Sequence, residues 1–398
     1  MSKMLLPATW LILLIAGLPQ FSETVYSPSL PDVAHSLSVS EAMVEYTLTI
    51  YLLGMAIGTL FWGKVSDHRG RKPCMMGGFL IFILGCLGCY FSESITALMI
   101  SRLIQGFGGS VGSVLSQAVC RDAFHGPALG KIYSSVGSAL AIFPAIGPVV
   151  GGVIAEQVGW STIFLFLLLC GICLNLLIGR YLPETHPVEN RKPISIKTVG
   201  TRFFRDKKAM GFGLIVGAAQ GICFSYFSEG SFYLIKILGL SPSDYGLSFI
   251  AIAASTMLGG LLSKKLQSLR PSKTIMFYGI LVICGAAILF SSLVLWHTYI
   301  APFSNTAMIG MTVGAQMMTM FGVCMAASNG LALALVDYKD CIGTASSLFG
   351  FFYYCVISLF TFGMGWVHNG TLLPMPLYFL SLGLFGLWMR KKMILEEN

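Results

Sequence analysis

The sequence predicts an all-α membrane protein of twelve transmembrane helices, arranged as two pseudo-symmetric six-helix bundles. Three observations carry that expectation: a hydrophobic content too high for a water-soluble fold, apolar segments of spanning length recurring along the chain, and basic residues confined to alternate loops. Hydrophobic residues make up 55% of the 398 and charged residues only 11%, where soluble proteins carry about 25% charged. A fold in water has nowhere to hide so much apolar surface, so lipid must surround most of the chain. The 45 glycines fit the same environment, because small residues let membrane helices approach closely.

Apolar segments long enough to cross a core of ~30 Å fall at about 8–28, 42–62, 73–92, 95–119, 130–154, 160–181, 209–235, 245–263, 273–296, 305–332, 342–365 and 371–390. The first follows a short basic start (Lys3) as a signal peptide would. It runs on past Gln20 and Glu23 to Pro28 without a small-residue cleavage site, and is read as a retained span. The longest polar stretch, 182–208, separates an N-terminal bundle (1–181) from a C-terminal one (209–398).

With the N-terminus inside, all of the 25 Lys and Arg except Lys236 and Arg102 fall on interior segments. The positive-inside rule therefore puts both termini in the cytoplasm. It also accounts for the net charge of +8 without a nucleic-acid partner. The 11 cysteines lie almost wholly inside apolar runs, as in Cys86-Leu-Gly-Cys89, and read as small packing residues.

The two bundles look like copies. Phe21-Ser22-Glu23 recurs as Phe227-Ser228-Glu229, and Ser38-x-x-Glu41 before span two matches Ser241-x-x-Asp244 before span eight, each with capping-box spacing. Gly58 with Lys64 resembles Gly260 with Lys265. Three matches in order indicate a parallel repeat of six spans.

Between spans two and three the chain reads Gly63-Lys-Val-Ser-Asp67-His-Arg-Gly70-Arg71-Lys72. Gly63 allows close helix contact and Gly70 a tight turn. Asp67 is placed to accept backbone N–H groups, and Arg71 offers a fork to a carboxylate. This string resembles the signature loop of the major facilitator superfamily, G-x-x-x-D-x-x-G-R-[KR]. The resemblance implies the major facilitator fold and a membrane transporter without a cofactor, working as a monomer. It also implies that the loop is a cytoplasmic latch in which Asp122 partners Arg71.

Two further strings extend the resemblance. Arg102-x-x-Gln105-Gly106 in span four is similar to the family's R-x-x-Q-G, whose Arg is tied to proton coupling, and an Arg at helix depth needs an acid or an aqueous cavity. Gly137, Pro144 and Gly147-Pro148-Val-Val-Gly151-Gly152 in span five match the antiporter motif of drug:proton exporters. Its small face suits close approach to the other bundle, and its prolines suit a bend. Tyr26-x-Pro28-x-Leu30-Pro31, Arg121-Asp122-Ala-Phe124, Ser328-Asn329-Gly330 and Gly343-Thr-Ala-Ser-Ser-Leu348 resemble segments of the Bcr/CflA group of bacterial multidrug exporters. The chain departs from that group at Thr24, where an Asp is usual, at Glu229, where a small or polar residue is common, and at Ser328, where Pro is usual.

By this resemblance the chain is expected to export small amphipathic or cationic compounds in exchange for protons across the bacterial inner membrane, by alternating access. Export of one metabolite, such as a siderophore or sugar, is the alternative. Glu23, Glu229 and Arg102 are the charges placed well inside the spans, with Glu45 nearer an outer edge. A carboxyl in a partly dry cavity beside an Arg is suited to carry a proton. Tyr26, Gln105, Phe224, Tyr226, Phe227 and Tyr233 are the candidate cavity residues, though an aromatic belt at the outer interface explains some of the aromatics equally well and is the favoured reading for each taken alone. No HExxH, Walker loop or nucleophile elbow supports an enzyme. The six histidines, His368 among them, show no metal-ligand spacing.

Overall fold

The computed structural model describes residues 6–187, 196–338 and 341–395. The first part of the chain forms α1 (Thr9–Thr24), the short α2 (Leu30–Ser36), α3 (Glu41–Arg69), α4 (Arg71–Tyr90), α5 (Ile95–Ala123), α6 (Pro127–Val158) and α7 (Ser161–Tyr181). After these come α8 (Ile196–Arg205), α9 (Lys207–Ser231), α10 (Pro242–Leu266), α11 (Ser272–Tyr299), α12 (Asn305–Ala334), α13 (Ile342–Val367) and α14 (Pro374–Met389). Among the described residues there is no β-strand. α1, α3 to α7 and α9 to α14 coincide with the twelve expected spans. Eight of these helices are long and apolar enough to cross a membrane on length and composition alone. α1 and α14 have 16 residues each, and α5 is diluted by glycine and polar side chains.

Local chemistry sets the boundaries. Gly70 and Gly159 take positive φ (97° and 90°) where α3 and α6 end, a conformation that costs glycine little. Asp206 caps α9 by accepting from the backbone N–H groups of Lys208 and Ala209. Half of the capping box expected at Ser241 is present: Ser241 Oγ accepts from Asp244 N at 3.0 Å, while the Asp244 carboxylate accepts from that hydroxyl at 2.9 Å. Its expected counterpart at Ser38 is not. Ser38 sits at φ 53°, Ser40 precedes the helix without a side-chain cap, and Glu41 reaches away to Lys236 and His368. Part of the expected linker, residues 188–195, lies outside the described residues; the rest contains α8, which packs on α13.

Helices α1 and α4 to α7 pack around one core and α9 to α14 around a second, with α3 shared: Val44 and Trp62 enter the first core, while Leu48, Tyr51, Leu52, Met55 and Ala56 enter the second. The halves meet along two seams, α3 against α13 and α6 against α10. Arg69, Arg71, Arg121, Lys207, Lys264 and Arg390 cluster at one end of the bundle, called here the basic face.

The α6–α10 seam is backbone-tight. A Cβ at Gly152 would overlap the carbonyl oxygen of Pro242, and one at Gly246 would overlap that of Pro148. On its other side α6 leans on α1, where Gly147 and Gly151 leave room for Thr24 and Val25 alone. The glycines of the Gly147–Gly152 string thus hold α6 against both bundles. Gly246→Leu should push the seam apart and cost about 1–3 kcal/mol, the usual penalty of overpacking. The expected result is a lower melting temperature in detergent, with helical content unchanged by circular dichroism.

Candidate functional site

A cavity of about 450 Å³ lies between the two halves and reaches the basic face. α1 contributes Gln20, α3 Thr59, α5 Ser113 and Gln117, and α13 Ser346, Tyr353 and Tyr354; among the described residues Arg121 is the one charged side chain on its wall. Hydroxyls, amides and aromatic faces make up most of this lining, a surface that takes apolar and polar parts of one ligand together.

Glu23 lies nearly one helical turn beyond Gln20 on α1, away from the basic face, and is buried. It is within electrostatic range of Tyr353 and Tyr354 on the cavity wall and of Arg102 behind it. Arg102 is fully buried. Its Nη1 donates to Gln105 Oε1 at 2.6 Å, and its guanidinium lies over the rings of Tyr51 (4.2 Å) and Tyr26 (4.9 Å). Gln105 continues the chain by donating to Cys86 Sγ. Arg102 Nε and Nη2 and Glu23 Oε1 have no hydrogen-bond partner. Cation–π contact contributes about 2 kcal/mol to a desolvated cation, less than a carboxylate bond would. An acid and a base are therefore held close together without being joined.

The face opposite the basic one is sealed. Ser27 Oγ donates to the Phe227 carbonyl and lies 3.1 Å from Tyr245 Oη, and Ser358 Oγ donates to Thr49 O at 3.0 Å. Glu156 accepts from Ser243 N at the start of α10, an acid set against a helix N-terminus. Glu41 pairs with Lys236, and His368 Nε2 lies 3.1 Å from Glu41 Oε2. Nδ1 of His368 lies 2.7 Å from Glu229 Oε2 and 3.5 Å from Glu45 Oε1. Each of these contacts joins the first half to the second, except that between His368 and Glu229. Burial lowers the affinity of the His368 imidazole for its proton, with nearby Glu45 opposing and Lys236 reinforcing the effect. Glu45, expected near an outer edge, is fully buried.

At the basic face Arg71 is the hub of a compact network. It donates to Asp67 at 2.6 Å, to Asp122 at 2.8 Å and to Ser66 at 2.8 Å. Glu184, which sequence reasoning did not single out, accepts from the backbone N–H groups of Arg71 and Lys72 and so caps α4. The network ties α3, α4, α5 and the segment after α7 within one half. Gly63 is where it touches the other half, since a Cβ there would overlap Ser347 Oγ.

The six candidate cavity residues lie elsewhere than on this cavity wall. Tyr26 and Gln105 flank Arg102. Phe227 stacks on Phe249 at 5.2 Å, with Phe224 and Tyr226 beside it, and Tyr233 packs on Phe290. Tyr353 and Tyr354 took no part in the sequence reading, and Gln20 entered it only as a polar residue of the first span. Their signal was available only as polar and aromatic residues in spans that required neither.

Lipid-length helices in two halves, hollow toward one face and sealed at the other, form a multi-pass membrane transporter rather than an enzyme. A family model described as Major Facilitator Superfamily matches residues 12–361, and the chain belongs to that family. It is 33% identical over 384 residues to an uncharacterized transporter of Rickettsia bellii, covering 94% of this chain and 93% of that one. It is 28% identical over 355 residues to a bicyclomycin resistance protein homolog of Haemophilus influenzae, covering 86% of each. Multidrug resistance protein MdtL of Salmonella typhimurium is also 28% identical, over 84% of this chain and 82% of that protein. The fold matches the partially occluded inward open conformation of the xylose transporter XylE from E. coli with a TM-score of 0.73, 13% identity and 97% of each chain covered.

Asp122→Asn removes the charge from the acceptor of Arg71 Nε. A charge-assisted bond of this kind contributes about 1.5–3 kcal/mol, so the variant should melt several degrees below the parent protein by scanning fluorimetry.

Proposed function

We propose that this chain exports small amphipathic compounds, cations among them, from the cytoplasm of a bacterium in exchange for protons. The basic face is read as cytoplasmic from its lysines and arginines. The cavity then takes substrate from the cell or the inner leaflet, and the sealed face opens outward in the other half of the cycle. The observation that carries the reading is the buried, unjoined pair of Glu23 and Arg102 just beyond a polar, aromatic cavity.

The coupling follows from what that pair can do. Ionised Glu23 and Arg102 attract one another strongly in a region that excludes water, so a small shift of α1 toward α5 joins them. A proton on Glu23 removes the attraction and leaves Arg102 on its tyrosines. A cationic or hydrogen-bonding substrate in the cavity competes with the proton for the same carboxyl. Substrate and proton thus exclude one another at Glu23, which an exchanger requires. Glu229 is not given the proton in this account, because it sits in the outer closure with His368 and Glu45. The names of the relatives from Haemophilus and Salmonella support the substrate class.

Glu23→Gln keeps the side chain's size and removes its charge. Inverted vesicles carrying this variant should lose at least about tenfold of proton-driven efflux of a lipophilic dye while still exchanging dye for dye. Efflux at the parent rate would assign the proton to another group.

A further inference from the structure

At the outer closure three side chains from three elements converge. Glu45 comes from α3, Glu229 from α9, and His368 ends α13. One oxygen or nitrogen from each lies within 4.8 Å of the others. Both carboxylate oxygens of Glu45, and Oε1 of Glu229, are buried without a hydrogen-bond partner. Two acids so placed are costly unless a proton or another positive charge joins them. Lys236, which is within electrostatic range of His368, is engaged with Glu41.

We propose that Glu45, Glu229 and His368 bind one divalent transition-metal ion, zinc or one of similar preference, which ties the two halves together at this face. The spacing suits it. Ligands about 2.1 Å from such an ion stand about 3.0–3.5 Å from each other, and His368 Nδ1 is already 2.7 Å from Glu229 and 3.5 Å from Glu45. Two carboxylates balance the charge of the dication. The imidazole selects zinc, cobalt or nickel over calcium or magnesium, which prefer oxygen alone.

Glu41 supplies the outer support. Its Oε2 lies 3.1 Å from His368 Nε2, on the far side of the ring from Nδ1, whose 2.7 Å hydrogen bond with Glu229 Oε2 would give up its proton when an ion binds. A carboxylate behind the histidine is the usual means of orienting a metal-bound imidazole. Phe232 covers the ring from one side, with centroids 5.8 Å apart.

The site spans the seam. Glu45 belongs to the first half, Glu229 and His368 to the second, so the three ligands are together only while this face is closed. An ion bound there favours the closed face and retards its opening. Read with the orientation proposed above, the ion arrives from outside the cell and slows transport whatever the substrate. The site itself does not depend on the role given to Glu23.

The test uses the purified full-length protein in detergent, treated with chelator and free of any histidine tag. Titration with zinc chloride by calorimetry should give one ion per chain and a raised melting temperature. Cobalt chloride should give visible absorption bands from nitrogen and oxygen ligands, a readout that needs no variant. Glu45→Gln and His368→Asn should each weaken zinc binding at least about tenfold, whereas Glu156→Gln should leave it unchanged. No zinc binding by the parent protein overturns the proposal. So does binding that persists undiminished in Glu45→Gln and His368→Asn, or a cobalt complex without nitrogen ligation.

Discussion

Charge buried at lipid depth is the constraint around which this molecule is organised. Glu23, Glu45, Arg102 and Glu229 are all buried within helices of a membrane bundle. Removing such groups from water costs several kcal/mol each unless they are neutralised or paired. The structure leaves none of the four in a simple ion pair with another. Arg102 is stabilised by a glutamine and two tyrosine faces, and Glu229 by a histidine. Charges compensated only in part are sensitive to whatever proton, substrate or ion reaches them. In a transporter that sensitivity is the means by which a ligand selects one conformation over the other.

Opening and closing also require two halves that can separate without unfolding. Each half is built on an apolar core, and the contacts between them are helix seams, with the middle of α3 set into the second core, and a limited set of hydrogen bonds. Along the α6–α10 seam glycines permit backbone contact, so the closed arrangement is well packed yet has little side-chain interlocking to undo. The Arg71 network stiffens the basic ends of α3, α4 and α5 within one half. Rigid halves with a glycine-lined seam suit rocking better than continuous deformation.

Much of this was legible in the sequence because it depends on short-range pattern. Span positions follow from apolar run length, and the meeting of Arg71 with Asp122 follows from a resemblance carried by short motifs, whereas Asp67, expected to accept backbone N–H groups, accepts from the Arg71 side chain and Glu184 takes the amides of α4. The helix cap at Ser241 was read correctly because its pattern, too, is short-range. Its twin at Ser38 failed because Glu41 has stronger partners, Lys236 and His368, from distant parts of the chain. The repeat made Glu23 and Glu229 look equivalent, each following Phe-Ser near a helix end. Tertiary structure separates them, one buried behind the cavity wall near Arg102, the other facing His368 and Glu45. Neither that divergence nor the capping of α4 by Glu184 has any signature in local spacing. Tyr353 and Tyr354 were missed because a tyrosine in an apolar span reads alike whether it faces lipid, core or cavity.

The central claim is that substrate and proton compete for one buried carboxyl. Proton release from the purified protein tests it most directly. Addition of a transported cation to the protein in weakly buffered detergent solution near neutral pH, followed with a pH-sensitive dye, should release protons in proportion to the substrate bound. Saturable substrate binding with no proton released would contradict the account.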